Sequence, residues 1–466
     1  MVFPLITFPY SSRILEAEGI GVINFYNSII SYISLVTCLG IPLYATREIA
    51  KVKHDPSLTS KTSAEVLVFH VGLTVLGYIV VALICVFVPK IRENWPIFLL
   101  LSASLIFTAM GCDWYFRGTE DFKFITIRGL IVRIIYIPLL FIFVRTKSDL
   151  LMYAGLTVFV TVGNNLFNFY KIIKVISFKE IKDAVKVPFR HLKGSVQIFL
   201  LNASISLYLQ MNILILGFLS SSTSVGYFTA ASRFTYVVSG IIVALQTTLL
   251  PRGASLLSQD NLEAFKNIMT KVLNFIFCVT LPMSAGLIVM SPLIIKLFAG
   301  DSFSPAIPTL QLLSINVIFS IFNGVLCGGM LVPLGKETLA MYACLIGGIV
   351  SIAANFILVP FFSQNGSALA SIITEIAVGI GMIALAKKYI PVKLWKRSYF
   401  TYLFSSLIMF AVCSIIWSLS THEAYRLVVT PVTGIIVYIL LLNLIKDNFY
   451  LSLQSTLFQK LKLIKS

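Results

Sequence analysis

Three ionisable side chains, Arg133, Arg233 and Glu375, lie deep inside long apolar runs, whereas the other charges gather between those runs. A charge near the middle of a bilayer costs about 2.5–3.5 kcal/mol on insertion scales and is retained where it faces a polar cavity or a partner. Two of the three are cations, so the first chemistry they suggest is a pathway for something anionic. The elements that must position them are membrane-spanning helices.

The 466 residues are 58% hydrophobic and 12% charged. Their apolar residues come in runs of about 18–27, the length that crosses roughly 30 Å of hydrocarbon as helix. Fourteen runs are expected, at 1–12, 21–45, 64–88, 95–116, 125–144, 149–170, 194–218, 225–250, 267–290, 304–331, 338–360, 366–386, 398–419 and 425–445. The fold class is therefore an all-α polytopic membrane protein, with almost no residue left for a water-soluble domain. The first run makes only about 18 Å of helix at the usual rise. Two readings of it stay open, a short span or a start codon upstream of Met1. It lacks the basic n-region and the cleavage site of a signal peptide.

Lysines and arginines held back in cytoplasmic loops set the orientation. With the N-terminus inside, 27 of the 36 fall in cytoplasmic connections and 7 outside, the other two being Arg133 and Arg233. Both termini are then expected in the cytoplasm. Positive loops beside anionic membrane lipids account for the net charge of +17 without a nucleic-acid partner. Seven cysteines sit singly in apolar runs and the four histidines are equally isolated, which argues against a metal, thiol chemistry or any cofactor. The chain has no Gly-rich nucleotide loop, so ATP is not expected to act on it directly.

An internal repeat organises the runs. Sliding the chain by 205 residues brings Gly21 onto Gly226 and Arg47 onto Arg252, and a shift of 217 brings Gly118-Thr119-Glu120 onto Gly335-Lys336-Glu337. The repeat predicts two six-helix bundles in parallel orientation, 1–170 and 194–390. A basic linker at 171–193 alternates its cations with Ile172, Ile176, Ile181, Val185 and Phe189, the pattern of a helix lying in the interface. Two further helices and a basic tail fill 391–466.

Three motifs carry a family resemblance. Pro4-Leu5-Ile6-Thr7-Phe8-Pro9-Tyr10 is followed by Ser12-Arg13 and Gly19-Ile20-Gly21. Thr46-Arg47-Glu48-Ile49-Ala50 comes after the second run, and Asp113-Trp114-Tyr115-Phe116-Arg117-Gly118 with Glu120-Asp121-Phe122-Lys123 after the fourth. Together they resemble bacterial O-antigen (Wzx-type) lipid-linked oligosaccharide flippases, in the polysaccharide transporter family of the MOP exporter superfamily. The resemblance covers the whole layout of runs and concentrates in the first 130 residues. One departure is at the start, where the family carries further residues before the Pro-Leu-Ile-Thr-Phe-Pro stretch. The resemblance implies a V-shaped, MATE-like pair of rocking bundles. They would move an undecaprenyl-pyrophosphate-linked sugar repeat unit from the cytoplasmic to the periplasmic leaflet of the inner membrane. The partners it implies are that lipid and the O-antigen polymerase with its chain-length machinery.

Depth sorts the charges. Arg233 lies about eight residues and Glu375 about nine from the outer ends of their runs, roughly 12–14 Å deep at helical rise. Either they form an ion pair that holds the second bundle together, or Arg233 attracts a pyrophosphate while Glu375 binds a coupling proton or cation. The two can also alternate. Arg133 is either a cationic wall or part of a network with Asp113 and Arg128, which a tight hairpin of the fourth and fifth runs would bring level. Arg47 and Arg252 end equivalent helices, where a cation is favoured by about 0.3–1 kcal/mol and could also form a funnel for a diphosphate. Arg13 would meet the headgroup late, and Asp113, Arg117 and Glu120 would shape a turn and gate. Amides such as Asn24, Asn27, Asn202, Gln246, Asn316 and Asn323 are available to sugars, but none stands out.

Two other classes share these features. A cation-coupled multidrug exporter of the same fold would favour acidic residues in its cavity, and the mid-membrane charges here are net positive. A membrane-embedded O-antigen polymerase or glycosyltransferase would bring a large outer loop or acidic catalytic residues, and the longest outer loop is about a dozen residues. The reading that follows is a transporter, not an enzyme.

Overall fold

The structure is a computed structural model. It describes the backbone of residues 2–187, 189–258, 261–394, 396–419 and 422–455, and the side chains there except at 2, 4, 5, 200–210, 241–254 and 258. The helices in chain order are α1 (Val2–Cys38), α2 (Ile41–Val52), α3 (Pro56–Phe87), α4 (Pro89–Arg92), α5 (Trp95–Gly111), α6 (Asp113–Gly118), α7 (Phe122–Phe143) and α8 (Leu150–Ile172). They continue as α9 (Phe178–Ala184), α10 (Leu192–Leu219), α11 (Ser222–Ser258), α12 (Leu262–Ala299), α13 (Ile307–Gly324), α14 (Glu337–Ala386), α15 (Arg397–Leu419) and α16 (Glu423–Ile445). Ten helical stretches among the described residues are long and apolar enough to cross a membrane. The chain is thus an all-helical, multi-pass membrane protein.

Helix covers most of each expected run, but the second run breaks at the Leu39–Gly40 turn, which puts Arg47 inside α2 rather than at the end of a helix, and two joints between runs differ from the expectation. The first and second runs meet inside α1 at Glu16 (φ 53°), and the eleventh and twelfth inside α14 at Ser363 (φ 48°). Both joints put a non-glycine residue in the left-handed region, where backbone strain is usual. The linker, read as one interfacial helix, folds only its middle into the short α9, with Phe178 and Phe189 exposed.

Packing divides the chain into two compact units, residues 2–226 and 227–466. In the first, α5 runs along α8, α3 packs on α1 and α5, α2 on α6, and α10 on α1 and α2. Helices in lipid gain little from the hydrophobic effect and depend on close van der Waals approach through small residues. Gly21 and Gly226 provide it. A side-chain carbon on Gly21 would strike the Ser222 carbonyl, and one on Gly226 would strike that of Ala17. Ala17-x-x-x-Gly21 and Ser222-x-x-x-Gly226 are one pattern written twice, so the repeat mates meet backbone to backbone.

The first unit ends as late as Gly226 because α10 is seated firmly in it. Gly40 (φ 74°) lets the α1–α2 turn touch the backbone of Ser195 and Phe199, Gly194 lies under the Tyr44 ring, and Gly217 lies under Phe25. At the far end Lys90 Nζ donates to the carbonyls of Gly217 and Ser220, the latter at 2.7 Å. A cation there satisfies two carbonyls left over at a helix C-terminus. In the second unit α12 packs on α13, α15 and α16, and α13 on α14.

Overpacking a fitted contact costs about 1–3 kcal/mol. Gly21→Val and Gly226→Val are therefore expected to lower the unfolding temperature of the detergent-solubilised protein. Gly72→Ala, whose added carbon would meet nothing within 4 Å, should leave it unchanged. Unfolding temperatures equal for all three would refute the close crossing.

Candidate functional site

The Asp113–Gly118 motif forms α6, turned away from α5 by Cys112 in a left-handed conformation (φ 47°). Trp114 and Phe116 are buried, and Gly118 lies against Ile49 and the Thr46 carbonyl of α2. Asp113 is the hub. One carboxylate oxygen accepts from Arg128 Nη2 and, at 3.4 Å, from Asn168 Nδ2, and the other accepts from Arg117 Nε at 2.9 Å. Arg128, only 6% exposed, also donates to the Asn164 carbonyl at 2.8 Å. Next along the chain, Glu120 (φ 61°) pairs with Lys53 at 3.0 Å, and Asp121 caps α7 through Phe124 N–H. The motif is a tight, ion-paired turn joining α5 to α7 over the end of α2.

Arg133 does not join this network. It is exposed on α7, with its guanidinium 5.9 Å from the centre of the Phe3 ring. Five residues along a helix turn through about 140°, so Arg128 and Arg133 point to different sides. Arg47 is exposed on the outer face of α2, whose opposite face buries Ile41, Ala45 and Ile49. No carboxylate pairs with it among the described residues. Arg13 is exposed and donates to the Pro9 carbonyl at 3.1 Å. Arg252 lies in α11, but its side chain is outside the described residues, as are those of Asn202, Gln210 and Gln246.

A second cluster, unforeseen because histidines were read as isolated, holds the end of the linker. His191 Nε2 lies 3.1 Å from Glu65 Oε2, its Nδ1 lies 2.9 Å from the Tyr44 hydroxyl, and Arg190 donates to Glu65 Oε1 at 2.6 Å. Glu65 and His191 are both buried. Burial lowers the His191 pKa from its ordinary value, and the Glu65 hydrogen bond works against that shift. The partners are 126 and 147 residues away in sequence, beyond any local signal.

Arg233 and Glu375 both belong to the second unit. Arg233 is half-buried on α11. Glu375, 5% exposed on α14, accepts from Asn323 Nδ2 at 2.7 Å, and Asn323 also donates to the Glu375 carbonyl at 2.8 Å. A side-chain carbon at Gly379 would strike the Asn323 amide oxygen, so glycine there makes room for it. The pair opens onto a cavity of about 340 Å³ walled mainly by Phe277, Phe319, Phe322 and Tyr399.

The first unit contains a cavity of different character, about 540 Å³, between α1, α5 and α8. Asn27, Ser31 and Ser34 line it from α1, Ser104 and Thr108 from α5, and Thr157 and Thr161 from α8. Sequence reasoning had only Asn27. The signal was available as polar residues three or four apart, which share one helix face.

Comparison with known proteins bears on both units. The family described as "Polysaccharide biosynthesis protein" matches residues 1–257. A "Putative O-antigen transporter" of Shigella dysenteriae is 26% identical over 395 residues, 83% of this chain and 96% of that protein. Its namesake in Escherichia coli K12 is 26% identical over 382 residues, 81% and 91% of the two chains. The lipid II flippase MurJ in its inward closed conformation has a similar fold, with TM-score 0.65, 17% identity, and 97% and 100% of the two chains covered. An inward-facing MATE family multidrug resistance transporter of the MOP superfamily aligns with TM-score 0.62 and 15% identity over 83% and 94%.

Two outcomes follow from the charged clusters. Asp113→Asn strands Arg128 and should cost about 3 kcal/mol, the low end for removing one partner of a buried pair, because Asp113 itself is 35% exposed. A chemical or thermal unfolding series on purified protein measures it, and an unchanged midpoint would contradict the hub. Burial makes His191 harder to protonate in the folded protein than in the unfolded chain, so its contribution to stability falls as pH drops below about 6.5. His191→Gln should therefore flatten the fall in unfolding temperature between about pH 7 and pH 5; a slope like that of the unmodified protein would show that the ring does not titrate this way.

Proposed function

The chain belongs to the polysaccharide biosynthesis protein family, and from that premise we propose that it is a flippase for an undecaprenyl-pyrophosphate-linked sugar repeat unit in a bacterial inner membrane. The observation that carries the reading is the polar cavity lined by α1, α5 and α8 inside the family-matched segment. An oligosaccharide cannot cross hydrocarbon unaided, because its hydroxyls would lose their hydrogen bonds to water. A lining of hydroxyls and an amide replaces them.

The mechanism we infer is alternating access by the two repeats, 1–170 and 194–390, with both termini in the cytoplasm. The diphosphate is drawn in past Arg47 and Arg252 and engages Arg233, and Arg133 and Arg13 serve as later cationic contacts. The planar guanidinium binds phosphate through two parallel hydrogen bonds, which an ammonium cannot reproduce. Asp113, Arg117 and Glu120 act as the gate at the α5–α7 turn. Glu375 takes the coupling proton or cation, and its exchange there weakens the hold on the anion and releases it. Support for that role is its buried carboxyl, bonded to an amide and open to a cavity. The polymerase and chain-length machinery would receive the product outside.

In cells whose surface glycan depends on this protein, Arg233→Ala should abolish glycan export while leaving the protein in the membrane, and Arg233→Lys should restore it only in part. Glu375→Gln, fixed in the uncharged form, should stop turnover driven by an ion gradient in proteoliposomes. Export near the normal level in Arg233→Ala would remove that residue from the mechanism, and gradient-driven turnover in Glu375→Gln would remove the coupling role.

A further inference from the structure

We propose that the cavity between α1, α5 and α8 is a recognition site for an uncharged sugar ring of the transported glycan, an inference that rests on the flippase reading. The cavity, about 540 Å³, falls in the roughly 300–1,000 Å³ range of small-molecule sites. Its polar groups form stripes on three helices, Asn27 and Ser31 on α1, Ser104 on α5, and Thr157 and Thr161 on α8. A sugar ring presents hydroxyls that both donate and accept, and serine, threonine and asparagine side chains do the same. Tyr32, half-buried in the same lining, adds an aromatic face for the apolar side of a ring.

Two observations select this ligand class. The first is the bonding already present. Ser104 Oγ donates to the Leu101 carbonyl at 2.7 Å and Thr157 Oγ1 to the Tyr153 carbonyl at 2.9 Å, so both keep their oxygens free to accept. Asn27, Ser31 and Thr161 have no hydrogen-bond partner among the described residues, so the cavity wall offers donors as well as acceptors. The second is charge. No lysine, arginine, aspartate or glutamate is among the described lining residues, and none of the arginines assigned to the diphosphate lies there. A uronate or a free amino sugar seated there would meet no counter-charge in the described lining, so part of its hydration would be lost without compensation. The site therefore reads the glycan rather than its phosphates, and it discriminates against charged rings.

The test uses the full-length protein in detergent and measures equilibrium binding of a panel of tritiated disaccharides. Uncharged members are di-N-acetylglucosamine, lactose and maltose, and charged members carry a glucuronate in the same linkages. At least one uncharged disaccharide should bind saturably, its uronate counterpart should bind about tenfold more weakly or less, and Asn27→Leu with Thr161→Val should lower the affinity by about tenfold, the scale of losing one or two net hydrogen bonds. No saturable binding across the uncharged panel by protein that is folded and monodisperse would overturn the site. So would equal binding of uronates, or unchanged affinity in the double variant. Leaflet exchange of a lipid-linked oligosaccharide in proteoliposomes separates the two readings. Sugar binding without exchange overturns the flippase reading alone, whereas exchange unaffected by the double variant overturns this site alone.

Discussion

Inside hydrocarbon a polar group has no water to turn to, so it must meet another protein group or face a cavity. That constraint shows in where many of the described polar side chains sit. Arg128 is enclosed between Asp113 and the Asn164 carbonyl. Glu65 is closed by His191 and Arg190. Many of the described serines and threonines bond back to the carbonyl of their own helix one turn earlier, as Thr74 does to His70 and Ser314 to Leu310. Other polar side chains line the cavity between α1, α5 and α8.

The same solvent also removes the usual reason for helices to associate. Lipid tails are as apolar as leucine, so contact must come from shape. The repeat supplies that shape twice over, as Ala17–Gly21 and Ser222–Gly226. It also explains the joint at Glu16, since the 205-residue shift carries Glu16 onto Ser221, in the break between α10 and α11. Where the first repeat bends through one strained residue, the second separates into two helices.

Helical class and run positions were legible because eighteen apolar residues in a row have few other uses. The Asp113–Arg128 pair was legible too, because a tight hairpin fixes which residues lie level. Arg133 was misplaced by counting depth without rotation: one and a half turns along α7 bring it to the right level and the wrong face. His191 was invisible for a different reason, its partners being contributed by α2 and α3, far away in sequence. The polar cavity lay between these cases. Asn27, Ser31 and Ser34 share a face, but a serine or threonine in an apolar run is usually satisfied by its own backbone, so only convergence of three such stripes distinguishes a cavity from ordinary helix.

Glu375 shows what the constraint permits. An arginine partner would favour one state of the carboxyl, because a guanidinium can only donate. An amide has both a donor and an acceptor, so Asn323 can donate to the carboxylate through Nδ2 and accept from the protonated acid through Oδ1. The 2.7 Å bond shows the first arrangement, and Gly379, by leaving room around Oδ1, keeps the second within reach of a small rotation. A group bonded equally well in either state can gain and lose a proton without leaving a buried polar atom stranded. For the coupling role proposed for this carboxyl, only 5% exposed, that is the physical requirement, and an amide partner meets it where a cation would not.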